Sequence, residues 1–229
     1  MKSGPFFGVA VAAILASGAP ALAQAFPGLA PASSSLQTFR AEALRSDAYE
    51  IESSRMALQR SRDPRVRTFA RQMIRDHETT TRSLLPEGTS LNAGGNVVSD
   101  KEGGPFDSPI ALLTAPLTIP VNFVGRTFEG RSLIDNEPST PGRRVALDPR
   151  RQEMLAQLDA TRGRTFNATY ARQQSMAHRE TVALYEGFAR EGADETGRTF
   201  AGQVLPSLQR HLGHAQDLDE RYAAGTPAF

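Results

Sequence analysis

Apolar residues recur at three- and four-residue intervals through four stretches of the chain, and between the second and third stretch that period disappears. The first stretch predicts a helix from about Leu36 to Arg60. Leu44, Ala48, Ile51, Arg55 and Leu58 mark one stripe, with Ala43, Glu50 and Ala57 beside it. Asp63-Pro64 then supplies a capping side chain followed by a residue whose missing N–H costs nothing in a first helical turn, so a second helix starts there. Its inner face reads Val66, Phe69, Ala70, Met73, His77, Thr80 and Leu84. The same start recurs at Asp148-Pro149-Arg150 and opens a third helical stretch, bent at Gly163, that reaches Arg190. Phe166, Tyr170, Gln174, His178, Val182, Tyr185 and Phe188 fall on or next to one of its faces. A fourth helix begins near Asp194 and places Phe200, Val204, Leu208, His211, Ala215 and Leu218 at helical spacing. Pro206 should bend it, and Gly202, four residues earlier, leaves room for the distortion.

Four such helices with no strand-like alternation predict an all-α, antiparallel four-helix bundle, paired as 36–85 and 148–222. Residues 86–147 break the pattern, because they hold 15 of the chain's glycines and prolines and no helical period survives there. A connection of that length exceeds the usual helix–helix loop and reads as an irregular insertion. Ile110-Ala-Leu-Leu-Thr and Leu117-Thr-Ile-Pro-Val-Asn-Phe-Val124 are apolar enough to pack, which predicts an ordered excursion or short hairpin; complete disorder is the alternative. The insertion is also the expected surface for a protein or envelope partner.

The N-terminus changes the picture of compartment. Lys2, the apolar run from Phe6 to Gly18 and the small residues Ala21-Leu22-Ala23-Gln24-Ala25 have the order of a secretory signal, predicting cleavage after Ala23, or after Ala25. The run is shorter than the roughly 20 residues that span a bilayer, so the mature chain is expected to be exported, periplasmic or envelope-associated, without a transmembrane segment. Losing Lys2 takes the formal charge from +1 to zero, leaving no bulk electrostatic case for nucleic acid or an anionic membrane. With no cysteine, disulfides and thiolate chemistry are excluded.

Candidate chemistry rests on histidine. His77, His178 and His211 fall on the apolar stripes of three different helices, and Glu50 lies one residue off the strongest stripe of the first. A bundle brings such side chains to a shared centre, and an N3O set suits one zinc, copper or iron ion. The competing reading makes each ring a residue at the edge of the core, bonded to backbone or to a nearby acid among Asp76, Glu78, Glu180 and Asp217. Asp76 and Glu78 otherwise read as solvated helix-end charges. Two-metal carboxylate centres use Glu-x-x-His on two helices, whereas Ile74, Ser175 and Leu208 stand three before the histidines here. No nucleophile elbow, phosphate loop or dinucleotide fingerprint is present, so no catalytic residue is assigned.

Phe69-Ala-x-x-Met-x-x-Asp-His77 and Leu205-Pro-x-x-x-x-His211-Leu, with Asp47-Ala-Tyr-Glu50 and Leu184-Tyr-Glu-Gly-Phe188, resemble a large bacterial family of exported proteins. Its members carry a domain of unknown function with a ferritin-like bundle and are often labelled predicted outer-membrane proteins. The resemblance covers about 36–85 and 148–220 and puts Glu50, Asp76, His77, His178, Leu205, Pro206 and His211 at motif positions. It implies a ferritin-like four-helix fold and no established activity, and this chain departs from it in the long insertion. Two functions follow as expectations. The first is a non-enzymatic exported bundle acting through binding or stress protection. The second is a metal-binding or redox bundle that holds one transition-metal ion through the three histidines and Glu50.

Overall fold

The computed structural model describes residues 35–85, 88–92, 97–99 and 145–224. The expected signal, the apolar stretches at 110–114 and 117–124 and most of the expected partner surface lie outside these residues. The described residues are mostly helical, with five helices and one short hairpin: α1 Leu36–Arg60, α2 Pro64–Leu84, β1 Thr89–Leu91, β2 Val97–Ser99, α3 Pro149–Asp159, α4 Gly163–Glu191 and α5 Glu195–Ala223. Among them no helix is long and apolar enough to cross a membrane.

Side-chain caps start four of the helices. Ser35 accepts from Thr38 N, Asp63 from Arg65 N, Asp148 from Arg151 N and Asp194 from Gly197 N, each relieving a backbone donor that the first turn cannot satisfy. The stretch expected to be one bent helix is two. α3 ends at Asp159, and α4 opens at Gly163 in the left-handed region (φ +56), which breaks rather than bends the helix. Pro206 does lie inside α5, and the space around Gly202 is open.

The inner face of α1 is wider than the expected stripe and centred beside it. Leu44 and Ile51 of that stripe are buried, Ala48, Arg55 and Leu58 are only partly so, and Ala43, Asp47, Glu50, Ser54 and Ala57 are buried with them. Polar residues can face inward because α4 meets them with partners. Ser46 bonds Thr181 (2.5 Å), Tyr49 donates to Gln173 (3.1 Å), Ser53 accepts from Gln174 (3.1 Å) and Ser54 bonds Tyr170 (2.8 Å). A buried polar group with a partner avoids the cost of roughly 1–3 kcal/mol that an orphan carries.

β1 and β2 pair antiparallel, with Leu91 opposite Val97, and these two side chains pack against the apolar cluster built on Phe39, Leu44, Leu84, Tyr185, Phe188 and Phe200. A second apolar cluster contains Ala57, Val66, Phe69, Met73, Phe166, Tyr170 and Leu218. Between these clusters each long helix also turns a polar side chain inward: Asp47 and Glu50 on α1, His77 on α2, His178 on α4 and His211 on α5.

Candidate metal centre

Helical spacing delivers each imidazole inward. His77 follows Met73 by four residues on α2, His178 precedes Val182 by four on α4, and His211 lies between Leu208 and Ala215 on α5. All three are buried, and their ring centroids form a nearly equilateral triangle with sides of 5.5, 5.6 and 5.6 Å. One ligand-capable nitrogen from each ring lies within 4.8 Å of the others. The helices therefore set the rings at one height.

Each ring is oriented by one oxygen. His77 Nδ1 bonds Asp47 Oδ1 at 2.8 Å, and Thr81 donates to the other oxygen of that carboxylate at 3.0 Å. His178 Nδ1 donates to the Gln174 carbonyl at 3.0 Å, and His211 Nε2 bonds Asp76 Oδ2 at 2.8 Å. A neutral imidazole has one donor and one acceptor nitrogen, so these bonds leave acceptors at His77 Nε2, His178 Nε2 and His211 Nδ1. His77 Nε2 and His178 Nε2 face each other at 3.4 Å, and His211 Nδ1 is buried without a hydrogen-bond partner. Facing lone pairs repel unless a cation or proton lies with them. Two nitrogens bound at about 2.0–2.1 Å to a tetrahedral ion stand about 3.4 Å apart, so this pair already has the required separation. Carboxylates and carbonyls on the far nitrogens are the usual means of fixing a ligand histidine.

The electrostatics divide the rings. Burial, then the charges of His77 and His211, holds His178 well below the usual imidazole range. Burial also lowers His211, against the opposing bond to Asp76. For His77 burial acts downward too, yet the Asp47 bond and charge outweigh it and raise the ring overall. Burial raises the Asp47 carboxyl despite His77, whereas at Asp76 the His211 bond and neighbouring charges overcome burial and lower it.

Glu50 is next to the trio but is not in the group of ligand atoms that all lie within 4.8 Å of one another. Its Oε1 is 3.5 Å from His178 Nδ1, and its charge is also felt by His77. Neither oxygen has a hydrogen bond of normal geometry, although the nearby Gln174 amide favours the charged form. Burial pushes its carboxyl up to about 7.

Asp76 is not a solvated end charge: it holds His211. Glu78 pairs with Arg55 (3.5 Å) and Arg82 (3.2 Å). Asp47 was not among the candidate residues, although its position three before Glu50 places it on the same helix face, and that spacing was the available signal.

Fold and site together define a mostly helical protein with a buried trio of histidines oriented by acids and a carbonyl. The chain belongs to the family described as a domain of unknown function (DUF4142), whose model matches residues 21–93 and 133–218. The match resumes at 133, so the departure from the family is narrower than the insertion read at 86–147. No curated protein and no solved structure matches the chain.

Proposed function

We propose that this protein binds a single first-row transition-metal ion through His77, His178 and His211. One observation carries the reading: three buried rings from three helices, each oriented on one side, bring ligand-capable nitrogens within 4.8 Å of one another. Neutral imidazoles suit zinc, copper or iron and disfavour calcium or magnesium, which take oxygen. His178 and His211 favour the neutral form that ligation needs. We read the four long helices as an antiparallel, ferritin-like bundle with α3 added before its third member. The compartment we assign is outside the cytoplasm, on the character of the N-terminal segment, and the role we assign is binding rather than catalysis.

Untagged protein stripped of metal and titrated with zinc in a calorimeter tests this. The expected result is one ion per chain. His77→Ala and His211→Ala should each weaken binding by more than the roughly 10–100-fold that loss of an outer partner costs. Substoichiometric binding that neither substitution alters would remove the proposal.

A further inference from the structure

We infer that the three-histidine site leaves one coordination position for a small monoanion from solvent, reached past Asp76. The inference rests on the metal reading above and adds the ligand. A tetrahedral ion with three protein donors takes its fourth from outside, as sites with an open position do. Among the described residues no further histidine, aspartate or glutamate joins the three nitrogens. The nearby acids are committed or displaced. Asp47 bonds His77 and Thr81, and Asp76 bonds His211. Glu50 lies 3.5 Å from His178 Nδ1 and is not in the group whose ligand atoms all lie within 4.8 Å of one another.

Burial indicates the way in. The side chains of His77, His178, Asp47 and Glu50 are 0–1% exposed, while that of Asp76 is 19% exposed. With the surrounding side chains buried, a ligand of two or three atoms is the size we expect to pass beside this carboxylate, and a ring-sized one is not. Three neutral nitrogens leave the charge of a divalent ion uncompensated in its own coordination sphere, which favours a monoanion at the remaining position.

Cobalt(II)-loaded full-length protein, followed by its visible d–d absorption during azide titration, tests the inference. The bands should move and saturate at one azide per metal, in the wild type and in Glu50→Gln alike, while benzoate leaves them in place. A wild-type spectrum that azide does not move overturns the inference, as does a shift seen only in Glu50→Gln, which would put Glu50 in the fourth position. An equal response to benzoate overturns the narrow entry. Should Glu50→Gln fail to fold, the wild-type titration still decides. Failure to take up cobalt would overturn the metal reading itself, a result distinct from cobalt uptake without an azide response.

Discussion

Glu50 and Asp47 sit three residues apart on one helix face, and their surroundings give them different tasks. Asp47 is bonded on both oxygens and orients His77. Asp47→Asn should therefore weaken zinc binding by roughly 10–100-fold while leaving helicity in circular dichroism unchanged. Equal affinity in variant and wild type would contradict that role. Glu50 carries a pH dependence in the metal-free protein. Its folded pKa, about 7, lies above its ordinary 4.5, so its contribution to stability is fully present below about 4.5 and is lost as pH rises through about 7. A shift of that size corresponds to about 3 kcal/mol. Urea unfolding of metal-free protein should show Glu50→Gln more stable than wild type at pH 8 and flatter between pH 5 and 8; a variant less stable at pH 8 would count against it. The histidines were legible in the sequence because each interrupts an apolar stripe. Asp47 was not, since an acid beside alanine and tyrosine looks like a solvated residue until an imidazole faces it.

At the scale of elements, helix starts were readable because Asp-Pro supplies both a cap and a preset φ. Asp63 caps α2 and also accepts from the Tyr222 hydroxyl near the end of α5 at 2.7 Å. Asp63→Ala should cost about 1–2 kcal/mol in chemical denaturation, and a loss within error would show that neither bond matters. The break before Gly163 was harder to read, because glycine is tolerated inside helices and only its positive φ distinguishes an end from a bend. The facing of α1 was harder still. Its stripe of leucine and isoleucine competes with a stripe of serines and acids, and the deciding groups, Gln173, Gln174, Tyr170 and Thr181, lie on α4, more than a hundred residues away.

At the scale of the molecule, the two larger apolar clusters among the described residues are separated by a polar layer to which α1, α2, α4 and α5 all contribute. Burying three imidazoles, and a carboxylate with no bonded partner, costs stability in the metal-free state, and an ion shared by α2, α4 and α5 would offset it. Zinc at a hundred times its dissociation constant should stabilise the fold by about 2.7 kcal/mol, seen as a higher unfolding midpoint that His211→Ala abolishes. The height of this layer was the part of the site that sequence left open, because helices can slide while keeping their stripes facing inward. The most direct measurement of the central claim is X-ray absorption at the metal edge of the loaded full-length protein. The account predicts a first shell dominated by three imidazole nitrogens at about 2.0–2.1 Å, with one further light donor. A six-oxygen shell, or a nitrogen shell that persists unchanged in the His77→Ala, His178→Ala, His211→Ala triple variant, would contradict it.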